Sequence, residues 1–183
     1  MSFAPRDEIH TPRLTLIAIT PEMLHAEQAN DGSLAAILNC TLPLNWPPVD
    51  WEPHVLDILL AQFERHPHQS SWHRYITLPD VNGTSTLIGM VGAFWRDTAP
   101  AECEIGYTIL PPWEGRGFAT EAVRALIDVI RNDQQIQPPL TSIMAHTLPH
   151  LLASIRILEK CGLTFEGPGE EANTIRYRLH LNK

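Results

Sequence analysis

The segment Pro112-Trp113-Glu114-Gly115-Arg116-Gly117-Phe118-Ala119-Thr120-Glu121-Ala122 joins two stretches of different period. Upstream, Glu102 to Leu110 alternates as a strand does, with Glu102, Glu104, Gly106 and Thr108 on one face and Cys103, Ile105, Tyr107 and Ile109 on the other. Downstream, Ala119, Ala122, Val123, Leu126, Ile127 and Ile130 recur at helical spacing. A strand passing this abruptly into an amphipathic helix needs a tight connection. Gly115 and Gly117 supply it, because a residue without a Cβ turns sharply and lets the backbone approach a ligand. The first N–H groups of a helix lack internal partners and carry the positive end of its dipole, so the turn suits a phosphate or pyrophosphate, to which Arg116 can add a charge-assisted contact. From glycine spacing alone, a plain strand-to-helix turn is an equal reading. Neither G-x-x-x-x-G-K-[ST] nor G-x-G-x-x-G occurs at this junction, which excludes a P-loop and a dinucleotide fingerprint here.

Around this junction the pattern predicts an opening strand over Arg13 to Ile19 and a helix capped by Thr20 with Pro21 in its first turn. A loop rich in proline and tryptophan follows from Asn39 to Pro53, then a helix over Val55 to Arg65. Trp72 to Leu78 and Leu87 to Trp95 form a hairpin around Asn82-Gly83. Thr141 to Ala145 is a short strand, Leu151 to Lys160 a helix stopped by Gly162, and Thr174 to Leu181 a closing strand. Strands in succession, then alternating helices and strands, make an α/β (α+β) domain with a central mixed sheet. At 183 residues without a linker, one domain spans 1–183, with its core at about 11–181.

Charge narrows the partners. Thirteen Lys plus Arg against 21 Asp plus Glu give a net charge of −8, which argues against a nucleic-acid surface and suits a cationic or amine ligand, or simply solubility. Cys40, Cys103 and Cys161 are few, odd in number and far apart, as in reduced cytoplasmic proteins. The nine histidines, His66, His68, His146 and His150 among them, are not backed by carboxylates or thiols at ligand spacing, so no metal is expected. Met1 to Arg13 carries Arg6, Asp7 and Glu8 and lacks a long apolar run, so neither a signal peptide nor a membrane anchor is expected.

The stretches Glu104-Ile105-Gly106-Tyr107, Leu110-Pro111 and Gly115-Arg116-Gly117-Phe118-Ala119-Thr120-Glu121-Ala122 together resemble the acetyl-CoA signature of the GCN5-related N-acetyltransferase (GNAT) superfamily. Thr11-Pro12-Arg13-Leu14-Thr15-Leu16 resembles the opening strand of the branch that includes the ribosomal-protein N-terminal acetyltransferases, and residues 153–163 resemble its later helix. The resemblance covers the chain nearly end to end and implies a mostly antiparallel sheet flanked by helices. The chain departs from the family pattern at Glu114, where Gln or Arg is usual, and at Leu151, where Asn is usual.

The resemblance implies direct transfer from acetyl-CoA to a primary amine with both bound. Cofactor contacts fall to the backbone around Tyr107 and Ile109, to Glu114, Gly115, Arg116, Gly117, Phe118, Ala119 and Thr120, and to Ser154. Glu104 matches the position of the base that takes the ammonium proton, with Glu102 as rival. Ser154 matches the group that hydrogen-bonds the leaving thiolate, with Tyr107 as fallback. Trp46 and Trp51 would wall an acceptor pocket or merely anchor their loop. A protein amino terminus, a polyamine-like compound and an aminoglycoside-like compound all fit the charge. Leu179 to Leu181 offers an edge for a homodimer. The departures at Glu114 and Leu151 also fit a noncatalytic acyl-CoA-binding module of the same fold.

Overall fold

The computed structural model describes residues 7–48, 53–96, 98–133 and 138–181. Eight strands form one sheet in the order β1-β2-β3-β4-β5-β6-β8-β7. They are β1 (Glu8–His10), β2 (Thr15–Ala18), β3 (Arg74–Pro79), β4 (Ser85–Trp95), β5 (Glu102–Ile109), β6 (Ser142–Thr147), β7 (Thr164–Pro168) and β8 (Ile175–His180). Only the β5–β6 pair is parallel; all other neighbours run antiparallel. The helices are α1 (Pro21–Ala29), α2 (Ser33–Leu38), α3 (Pro53–Arg65), α4 (Phe118–Asn132) and α5 (Leu152–Lys160), with short 3-10 turns at Pro67–Trp72 and Pro111–Trp113.

Alternation along the strands sends side chains into two cores, one on each face of the sheet. Leu14, Leu16, Ile76, Val91, Cys103 and Ile105 pack under α4 through Phe118, Ala122, Val123, Leu126, Ile127 and Ile130. Ile17, Ile19, Tyr75 and Met90 pack under α1, α2 and α3 through Met23, Leu24, Leu34, Leu38, Leu59 and Phe63. The apolar stripe predicted for α4 is the buried one from Ala122 onward; at its start Phe118 is buried and Ala119 only half-buried.

Local chemistry accounts for several boundaries. Thr20 caps α1, accepting from the Met23 N–H at 3.3 Å, with Pro21 in the first turn. The hairpin turn between β3 and β4 is held by Asp80, whose carboxylate accepts from the Asn82 N–H at 2.7 Å and the Thr84 N–H at 3.1 Å. The opening strand is shorter than predicted. Thr11 accepts from the Leu14 N–H at 3.0 Å and folds the chain back, so that β1 pairs with β2. Helix α2 and strand β7 are too short to carry a periodic signal and were not predicted. The closing strand β8 lies between β6 and β7, but its ladder with β7 ends at Arg178, so Leu179 to Leu181, the edge expected for a homodimer, runs past that ladder.

Leu126 is fully buried beneath α4. Leu126→Ala should destabilise the fold by about 2–5 kcal/mol in urea unfolding; a loss below roughly 1 kcal/mol would show that this layer is not tightly packed.

Candidate functional site

Strands β5 and β6 pair through only three registers, Glu102 with Ser142, Cys103 with Ile143 and Glu104 with Met144. Yet β5 runs on to Ile109 and β6 to Thr147. Beyond Glu104 each strand keeps its outer neighbour, β4 or β8, and loses the other. A fork opens there, with peptide groups on both sides and no ladder between them. Unpaired backbone groups in an interior are costly, so the fork suits an extended ligand that carries amides of its own.

The glycine turn stands at the end of β5. Gly115 and Gly117 adopt φ of +70° and +81°, which L side chains rarely tolerate. Gly117 is the N-cap of α4 and no side chain caps the helix, so the N–H groups of Phe118, Ala119 and Thr120 lack the partner a capping side chain would give. Glu114 and Arg116 are exposed, so the turn presents its backbone. A groove of about 810 Å³ runs from Gly117 and Thr120 along α4, with Arg13, Arg124 and Lys160 on its walls.

A residue more than one hundred positions away braces this turn. The Arg13 guanidinium donates to the Arg116 carbonyl at 2.8 Å and to the Glu121 carboxylate at 2.7 Å, and lies 4.6 Å over the Phe118 ring. Thr11 donates to the other Glu121 oxygen at 2.6 Å. Burial pushes the Glu121 carboxyl up, but the hydrogen bonds from Thr11 and Arg13 outweigh it and hold the pKa below the usual range. Glu121 is thus a carboxylate already compensated by Arg13, which limits its repulsion of an anion at the turn.

On the α5 side of the fork, the Tyr107 hydroxyl lies 2.9 Å from Ser154 Oγ and donates to the Ser154 carbonyl at 3.2 Å. Burial pushes the Tyr107 pKa up to about 12, so the phenol stays a neutral O–H donor at ordinary pH.

Glu104 is the last paired residue before the fork. His146 Nδ1 lies 2.6 Å from one of its oxygens, and Arg96 Nη1 donates to the other at 3.3 Å. Arg96 also donates to Glu170 at 2.6 Å. His146 Nε2 is buried without a hydrogen-bond partner. Glu102, on the same face, lies inside the paired region and is held by Arg178 and by Ser142, which donates at 3.2 Å.

The face toward α1–α3 holds two cavities. One of about 440 Å³ is lined by Glu27, Leu34, Leu42, Trp46 and Leu56. Trp46 both walls it and is anchored: its Nε1 donates to Glu27 at 2.9 Å, and its ring meets Tyr75 edge-on at 5.9 Å. Trp51 lies outside the described residues. The other, about 200 Å³, sits on β4 and β5 and is lined by Val55, His73, Met90, Phe94, Gly106 and Thr108.

Of the sequence-predicted residues, Glu104, Tyr107 and Ile109 lie on β5, Glu114 to Thr120 form the turn and the start of α4, and Ser154 in the first turn of α5 meets Tyr107. Arg13, Arg96 and His146 were missed as site residues. Arg13 stood in a recognised strand pattern, but its partner lies across the fold, and the pairings of Arg96 and His146 with Glu104 depend on sheet register. Among the described residues no group of three or more His, Cys, Asp or Glu side chains is placed to hold a metal ion. No helix among them is long and apolar enough to cross a membrane.

The acetyltransferase (GNAT) domain family matches residues 13–164. Among solved structures, an acetyltransferase from Agrobacterium tumefaciens shares 24% identity at a TM-score of 0.63, covering 99% of this chain and 98% of that one. The ribosomal-protein-S5-alanine acetyltransferase from Vibrio fischeri shares 18% identity at a TM-score of 0.62, covering 94% and 96%. The ribosomal L7/L12 alpha-N-protein acetyltransferase RimL, in complex with coenzyme A, shares 15% identity at a TM-score of 0.63, covering 96% and 98%. No curated protein sequence matches the chain.

Burial lowers the His73 pKa from 6.5 to about 3, so the folded protein holds this ring neutral while the unfolded chain protonates it. The stability it contributes is complete above pH 6.5 and is lost as pH falls toward 3, at about 1.4 kcal/mol per pH unit. Urea unfolding from pH 7 to 4 should show this slope, and His73→Phe should remove it; identical slopes in both proteins would contradict the assignment.

Proposed function

The chain belongs to the GNAT acetyltransferase family and is an acetyl-CoA-dependent N-acetyltransferase, and we propose that it acetylates a primary amine delivered to Glu104 at the closed end of the β5–β6 fork. The observation that carries this reading is the coincidence of three features at one place: a fork with unpaired peptide edges, an uncapped helix start, and a carboxylate on the strand between them. The neighbours that act on ribosomal-protein amino termini make a protein or peptide amino terminus the first acceptor to try, ahead of small-molecule amines. The three cysteines are free thiols, in keeping with a cytoplasmic enzyme.

Gly115, Gly117 and the N–H groups of Phe118, Ala119 and Thr120 hold the pyrophosphate of acetyl-CoA. The groove past Arg13, Arg124 and Lys160 receives its nucleotide end. The peptide groups of Tyr107 and Ile109 hydrogen-bond the pantetheine arm, which completes the ladder that β6 abandons. Glu114 is exposed and leaves these backbone donors clear. Leu151 only starts α5 and leaves Ser154 in place beside Tyr107.

Glu104 takes a proton from the ammonium group, directly or through one water, with His146 and Arg96 fixing its two oxygens. The freed nitrogen lone pair attacks the thioester carbonyl; the carbon–sulfur bond breaks as the carbon–nitrogen bond forms, and the surplus proton left on that nitrogen passes to the departing sulfur or to water. Peptide N–H groups at the fork stabilise negative charge on the carbonyl oxygen. The Tyr107 hydroxyl and Ser154 hydrogen-bond the departing thiolate. With a phenol pKa near 12, Tyr107 stabilises this thiolate as a donor without surrendering its proton to it.

Glu104→Gln should lower kcat/KM on an amino-terminal peptide panel by about 10²–10⁴ at pH 7, while leaving acetyl-CoA affinity within about threefold. Loss of less than about tenfold would remove Glu104 from the role of base and leave water or Glu102 to be tested.

A further inference from the structure

Gly92 and Gly106 face each other across the β4–β5 ladder, between the Met90–Thr108 pair and the Phe94–Glu104 pair. Two adjacent missing side chains make a dent in the face of the sheet beneath α3. Over Gly92 the dent is filled from the side: a Cβ there would lie 2.3 Å from His73 Nδ1. Over Gly106 it is not, since a Cβ there would meet no atom within 4 Å. This vacancy is part of the 200 Å³ cavity, whose other walls are Val55, Met90 and Phe94.

Its position relative to the fork gives the cavity meaning. Gly106 follows Glu104 by two residues on the same face, just past the end of the β5–β6 ladder. If the proposed function holds, a thioester threaded through the fork brings its acyl carbon out beside Gly106. An acetyl methyl would fill a small part of the space. A dry cavity of about 150 Å³ accommodates benzene, so 200 Å³ has room for several more carbons. The walls are mostly apolar, with Thr108 and the His73 ring among them, and none of the lining residues is Lys or Arg to pair with a carboxylate. The imidazole of His73 is held neutral by burial, packed between Phe63 at 5.6 Å and Phe94 at 5.0 Å.

We propose that the cavity over Gly106 is an acyl-chain pocket, and that the enzyme accepts neutral, unbranched acyl-CoA donors longer than acetyl, of roughly three to six carbons. This rests on the reading of the fork as the acetyl-CoA site. The competing occupant is an apolar side chain of the acceptor next to its reacting amine.

Inert thioethers of coenzyme A separate these without an acceptor. Calorimetric titration should be made with CoA, S-ethyl-CoA and S-butyl-CoA on the wild type and on Gly106→Val, which fills the vacancy from the floor. At about fourfold per buried methylene, S-butyl-CoA should bind the wild type roughly tenfold or more tightly than S-ethyl-CoA. Gly106→Val should abolish that gain while binding S-ethyl-CoA within about threefold of wild type. Val55→Phe fills the same space from α3 and should act alike, so the test survives if the glycine variant does not fold. Equal or weaker binding of the butyl thioether to the wild type would overturn the proposal and assign the cavity to the acceptor. A gain that persists in both filled variants would overturn it as well. Failure of CoA itself to bind would instead overturn the reading of the fork, and this proposal with it.

Discussion

The parallel ladder between β5 and β6 ends after three pairs, and the site depends on that early ending. Had it continued to Ile109 and Thr147, the sheet would be closed, the peptide edges of both strands satisfied, and no extended ligand could enter. Parallel strands need a crossover, here through α4, and the start of that crossover is the glycine turn. One connection therefore joins the fork to the uncapped start of α4. Each is weak as a binding device alone; side by side they match a molecule with an anionic end and an amide-bearing arm.

Charge compensation keeps this arrangement usable in a protein of net charge −8. Two of the carboxylates at the site, Glu121 and Glu104, are each held by a partner brought in from another element. Glu121 at the start of α4 is neutralised by Arg13 from the turn after β1. Glu104 is fixed by His146 from β6 and Arg96 from the end of β4. A carboxylate gripped on both oxygens has a fixed direction, which proton transfer requires.

Much of this was legible in the sequence because it is local. The alternation of Glu102 to Ile109, the paired glycines at 115 and 117, and the apolar stripe of α4 each lie within one element, and each appears where the pattern put it. What escaped is relational. Thr11 and Arg13 meet Glu121 only because β2 and α4 pack together, and nothing near residue 13 signals residue 121. His146 reaches Glu104 through the register of β5 on β6. That β7 lies outside β8 was also hidden, because β7 is five residues long and lacks a clear alternation. The dent at Gly92 and Gly106 likewise needs the β4–β5 register before either glycine acquires a meaning.

The central claim is that acetyl-CoA occupies the fork and the helix start together, and amide hydrogen exchange with and without acetyl-CoA tests it most directly. Saturating acetyl-CoA should slow exchange at two separated places, the amides of 115–120 and those along 105–109, while the turn between β3 and β4 at 80–84, which lines neither the groove nor the fork, is unchanged. Binding that protects neither segment, or protects the turn and leaves 105–109 exchanging as in the free protein, would contradict it.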